Sequence, residues 1–242
     1  MDGKNLIATT LFLSRTDFSQ HDCTDAPPFN QLRKEGGKFN LIRNWYNSII
    51  ENKLNAIVFH DNLDEGFIEK YSNDNVEFKK HEPKHRKSFN DERFFCYREF
   101  LRKNNNVENI FATDAFDVVF HGSPFALINK DADLLVGSEP IRGGSFGGEA
   151  WINMKLAECG YKNRRIKTAF NAGIIGGKKE KVLSFFNLLC KELSSMNDDL
   201  NANAPCLNFL LNFSYTGKVL TGKPLHNTFG SFKDEGCIIQ HK

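Results

Sequence analysis

Apolar residues along the chain fall into short unbroken runs and stripes at helical spacing, and the two patterns alternate. Residues 5–13 (Asn-Leu-Ile-Ala-Thr-Thr-Leu-Phe-Leu) form a β-prone run of the kind that is buried on both faces of a parallel sheet. A polar, Pro-terminated stretch follows and predicts a loop. Between 39 and 53, Phe39, Leu41, Ile42, Trp45, Tyr46, Ile49 and Ile50 recur at helical spacing. A second strand is predicted at Asn55–His60.

After a charged, Lys/His-rich passage at 78–87, residues 90–103 read as a helix that Asn90 or Asp91 would cap. The next strand, Asn109–Thr113, delivers Asp114, and a further apolar run ends at Ser138-Glu139. Helices are expected around 149–159 and 178–195, flanking the apolar, glycine-bearing segment Phe170–Gly177, while the Asn/Asp-rich stretch 197–203 reads as a loop. Strands alternating with helices predict a mostly parallel α/β sheet whose ligands gather beyond the carboxyl ends of its strands. The polar clusters at 14–22, 61–65, 114–117 and 138–149 should then share one edge. The pattern predicts a single domain over 1–242, and the abrupt end after an apolar run suggests a missing acceptor domain or tail.

Composition narrows the partners. The 32 basic and 30 acidic residues leave a formal charge of only +2, so no global field favours nucleic acid or an anionic membrane. Basic residues such as Lys79, Lys80, Lys84, Arg86 and Lys87 still leave peripheral membrane association open. The apolar run at 6–13 is too short to span a bilayer and lacks the layout of a secretory signal. Six cysteines are scattered singly, without CxxC or zinc spacing, as expected of packing residues in a cytoplasmic protein.

The strongest chemical lead is Phe111-Ala-Thr-Asp-Ala-Phe-Asp-Val-Val-Phe120, which sets Asp114 and Asp117 between two apolar runs. Carboxylates are hard ligands suited to Mg²⁺ or Mn²⁺, and a cation that keeps open positions also holds a diphosphate. Three residues apart, the two acids face one ion only if the chain turns sharply between them; otherwise Asp114 caps a turn and Asp117 is solvated.

Thr113–Phe120, Gly137-Ser-Glu-Pro140 and Phe170-Asn-Ala-Gly-Ile-Ile-Gly-Gly177 together resemble the core of glycosyltransferases of the GT-A fold. The similarity runs over about residues 90–180. It is closest to the glycosyltransferase domain of procollagen lysyl hydroxylases and more distant from glycogenin-like enzymes. The resemblance implies a metal-dependent transferase moving a hexose from a nucleotide sugar, expected to be UDP-linked, to a glycan or glycoconjugate. It implies that Asp114 and Asp117 bind Mn²⁺ (or Mg²⁺) and the donor diphosphate, and that Asn171, Ala172 and Gly173 lie beside the sugar. It also implies a C-terminal histidine in the metal shell. His241, which follows an apolar strand-like run, is preferred over His226.

Within that frame Thr9, Thr10 and Asp61 are expected near the base, with Tyr97 or Phe94 as stacking rings, and Arg93 near phosphate or an aspartate. Glu139, Glu149 and Asp234 are candidate bases for the acceptor hydroxyl, though either glutamate would equally cap a helix. The glycine run at 143–148 is neither a Walker A nor a GxGxxG sequence and is expected to close over the donor. Two alternatives stay open. One is a nucleotidyltransferase that makes nucleotide sugars, although residues 6–15 lack the glycine- and Arg/Lys-containing signature it requires. The other is a non-catalytic carbohydrate-binding protein on the same fold.

Overall fold

The computed structural model describes residues 4–13, 37–85, 87–128, 131–139, 149–161, 164–197, 201–225 and 236–241. Its centre is a seven-stranded sheet built from β1 (Asn5–Leu11), β2 (Ala56–His60), β3 (Val76–Lys80), β4 (Asn109–Thr113), β6 (Leu134–Glu139), β7 (Ala169–Lys178) and β8 (Val219–Leu220). The strand order is β3-β2-β1-β4-β7-β6-β8, and β7 alone pairs antiparallel with its neighbours β4 and β6. A separate two-stranded sheet joins β5 (Val118–Phe120) to β9 (Ile239–His241).

The unbroken apolar runs are explained by cover on both faces, since successive strand residues point to opposite sides. Leu6, Ala8, Ile57, Phe59, Ile110 and Ala112 face one core, shared with α3 (Phe89–Lys103), α5 (Lys179–Ser195) and α6 (Asn203–Phe209). Ile7, Leu11, Ala56, Val58 and Phe111 face a second core with α1 (Arg43–Glu51) and the small sheet. Gly176 of β7 is fixed by packing, because a Cβ there would lie 2.2 Å from the Phe111 ring.

Local chemistry departs from the sequence reading at several places. A third strand leads into the Lys/His-rich passage: Val76 and Phe78 are buried while Glu77, Lys79 and Lys80 face solvent, and these charges protect an edge strand from mispairing. A short helix, α2 (Glu65–Tyr71), is capped by Asp64, whose carboxylate accepts the Phe67 N–H. The loop expected at 197–203 gives way at Asn203 to α6, which continues into a π-helical turn at Leu210–Ser214. The cap of α3 is Ser88, not Asn90 or Asp91.

The first turn of α3 carries three consecutive buried charges, and each is tied to a different part of the chain. Asp91 accepts the backbone N–H groups of Ala202 and Asn203 and so fixes the start of α6. Glu92 accepts the Lys84 N–H and contacts His81 and His85, clamping the connection from β3. Arg93 reaches Asp114 after β4.

Burial pushes the Glu92 carboxyl up, but its bonds to His81, His85 and the Lys84 N–H outweigh burial and leave it below its ordinary value. Because the folded value lies below the unfolded one, the clamp's contribution is present above the ordinary carboxylate range and is lost as pH falls through the folded value. Glu92→Gln is therefore expected to flatten the fall in melting temperature between about pH 5 and pH 3. A variant that follows the wild-type profile would contradict the clamp.

Candidate metal centre

The carboxyl ends of β1, β2, β4 and β6 lie on one edge of the sheet, and the candidate centre is built there, at the end of β4. Asp114 is the first residue beyond β4, and its N–H continues the β4·β7 ladder by donating to the Gly173 carbonyl at 3.0 Å. The chain then bends, with buried Ala115 packing into the core of α1, and presents Asp117 at the start of β5. His241 arrives from the far end of the chain because β9 pairs antiparallel with β5, opposing His241 to Val118.

These three residues meet. His241 Nε2 lies 3.1 Å from Asp117 Oδ2 and 3.6 Å from Asp114 Oδ2, and one ligand atom from each residue falls within 4.8 Å of the others. The sharp turn required for both acids to share one ion is present. A cation held at about 2.1 Å places opposite ligands about 4.2 Å apart, so the spacing suits one ion.

Three further observations test the fit. Asp117 Oδ1 is buried and lacks a hydrogen-bond partner among the described residues, which is costly for a carboxylate oxygen unless a cation compensates it. At Gly173, a Cβ would lie 2.6 Å from Asp114 Oδ2 and 2.9 Å from His241 Nε2, so any side chain would fill the space between the ligands. Two carboxylates and one imidazole form a mainly hard donor set that leaves positions open for other oxygens. Asp114, Asp117 and His241 thus form a group that fits a metal ion.

The Gly173 geometry comes from an irregularity in β7. Between Val136↔Ile175 and Gly137↔Asn171 the β6·β7 register slips, and residues 172–174 bulge toward Asp114. Asn171 Oδ1 accepts the Gly173 N–H at 2.7 Å, and this bond shapes the bulge. The Ala172 carbonyl accepts a hydrogen bond from Arg93 at 3.4 Å, and the same guanidinium forms an ion pair with Asp114 Oδ1.

Of the residues expected near a base, Asp61 stands at the predicted edge, with Oδ1 accepting the Leu13 N–H at 2.8 Å. Thr10 is half-buried near the end of β1. Thr9 is fully buried, and its hydroxyl donates to the Thr113 carbonyl, while Thr113 accepts the Trp45 indole N–H. The Thr9 side chain thus locks β1 to β4. Tyr97 and Phe94 are each 1% exposed and pack on Phe186, so both are core rings instead of stacking platforms.

Glu139 ends β6 opposite Ala169, and Glu149 opens α4 (Glu149–Glu158), two backbone positions consistent with the predicted edge. His226, Asp234, Arg86 and the glycine run 143–148 lie outside the described residues. Within the basic passage Lys87 is buried and donates to the Met196 carbonyl and Lys84 pairs with Glu99, while Lys79 and Lys80 face solvent. No helix among the described residues is long and apolar enough to cross a membrane. Cys96, Cys159, Cys190 and Cys206 are free thiols, and burial raises the Cys159 thiol to about 11 and the Cys190 thiol to about 12, consistent with packing roles.

Compared with known protein families and curated proteins, the chain matches no family model and no curated protein.

Gly173→Ala places a methyl group among the ligands without a positive φ to strain the backbone. It is expected to weaken Mn²⁺ binding at least about tenfold in calorimetry while leaving the circular dichroism spectrum unchanged. Unaltered Mn²⁺ affinity would place the cation elsewhere.

Proposed function

We propose that this chain is a metal-dependent glycosyltransferase that moves a hexose from a nucleotide sugar, in the leading reading a UDP sugar, to a hydroxyl of a glycan or glycoconjugate. The observation that carries the reading is the convergence of Asp114, Asp117 and His241 against the bare backbone of Gly173 at the carboxyl edge of the sheet. That edge is where open α/β sheets take their ligands, and the mostly parallel architecture is compatible with the GT-A fold that the motifs resemble.

Asp114, Asp117 and His241 would hold the cation, which supplies positive charge for a departing diphosphate. Arg93 adds a guanidinium beside Asp114, a group whose planar donors also match phosphate oxygens. The absence of a side chain at Gly173 leaves the approach to the ligands open, and Asn171 holds that bulge in place. Asp61 ties the segment after β1 to the loop after β2, bordering the edge where a base would sit. Glu139 and Glu149, by their backbone positions, remain the candidates for accepting the acceptor's proton.

Calorimetric titration with UDP in the presence and absence of Mn²⁺ tests the reading. The wild type is expected to bind UDP in a metal-dependent manner, and the double variant Asp114→Ala/Asp117→Ala to lose at least about tenfold in affinity, given the contribution of metal ligands. UDP binding that ignores Mn²⁺, or no binding at all, would sink the transferase mechanism. Mn²⁺-dependent hydrolysis across a panel of nucleotide sugars would then identify the donor.

A further inference from the structure

Asp114 divides its carboxylate between two tasks. Oδ2 faces His241 and the space at Gly173, whereas Oδ1 belongs to Arg93. Arg93 is itself enclosed, with a side chain 9% exposed, and it is braced by the Ala172 carbonyl and the face of Phe94. An arginine stays charged under all ordinary conditions, and a site this enclosed transmits that charge with little screening.

The consequence is a charge balance. Metal ligation requires a neutral imidazole at His241, so Asp114, Asp117 and Arg93 together give the centre one net negative charge. A divalent cation arriving alone reverses that sign beside a fixed guanidinium. A cation that arrives with a diphosphate does not, since the anion's charge compensates both positive groups.

We infer that Arg93 is the counter-charge that shifts this centre's preference away from the bare cation and toward a divalent cation paired with a diphosphate. This rests on the metal-centre reading above and deepens it by assigning a function to a residue outside the ligand set. Arg93 acts here as a positioning and charge-balancing residue: it orients Asp114 toward the other ligands and discourages loading of cation alone.

Calorimetry with two probes, Mn²⁺ alone and the preformed complex of Mn²⁺ with inorganic pyrophosphate, tests the inference on the wild type, Arg93→Met and Arg93→Lys. The affinity for the complex relative to Mn²⁺ alone is expected to be at least about tenfold higher in the wild type than in Arg93→Met. In Arg93→Met the two affinities should move in opposite directions, with Mn²⁺ alone at least about tenfold tighter and the complex weaker, because the centre has lost a positive charge. Arg93→Lys, which keeps the charge, should resemble the wild type.

Opposed shifts cannot come from partial unfolding, which weakens both. If Arg93→Met leaves both affinities unchanged, or moves both in the same direction while the variant stays folded, the counter-charge role is overturned. Arg93→Gln, neutral but polar, makes the same comparison with the same two outcomes should Arg93→Met fail to fold. A wild type that binds neither probe overturns the metal centre itself.

Discussion

Asp114 sits at the end of a buried strand with only part of its carboxylate open to solvent, and a carboxylate held there needs partners for both oxygens. Arg93 supplies one, and the space bordered by Asp117, His241 and Gly173 receives the other. Much of the surrounding structure serves that requirement. The bulge in β7 brings a glycine backbone close enough to leave room, and the hydrogen bond from Asp114 N–H to Gly173 fixes the separation. The small sheet draws the end of the chain across, so that His241 meets acids more than a hundred residues earlier in sequence.

The opening turn of α3 performs the matching task on the protein side. Asp91, Glu92 and Arg93 are consecutive, yet helical geometry sends them to the start of α6, the segment after β3 and the end of β4 respectively. Three charges are desolvated within one turn, and all are compensated by specific hydrogen bonds or ion pairs, as buried charges require. The start of the helix that carries Arg93 is therefore held by the contacts of the two residues before it.

Much of the frame was legible in the sequence because strands buried on both faces write unbroken apolar runs: β1, β2, β4 and β7 appear where those runs lie. Asp114 and Asp117 stood out for the same reason, as acids interrupting apolar flanks, and His241 because an apolar run precedes it. Edge strand β3 was hidden by the charges that protect it, and α2 and α6 are too short to establish a helical period. Phe94 and Tyr97 were misplaced because helix positions reveal residue type but not which partner absorbs it, and the core claims both rings. The tight approach of Gly173 to the ligands depends on a register slip between β6 and β7, and a slip of that kind leaves no mark in a single sequence.

The central claim is that one divalent cation joins Asp114, Asp117 and His241. Anomalous diffraction at the manganese edge, from crystals grown with Mn²⁺ and UDP, tests it most directly. The account predicts one strong peak about 2.1 Å from an oxygen of each aspartate and from His241 Nε2, with Gly173 beside it and the diphosphate completing the shell. No peak among these residues, or a peak ligated by a different set of side chains, would contradict it.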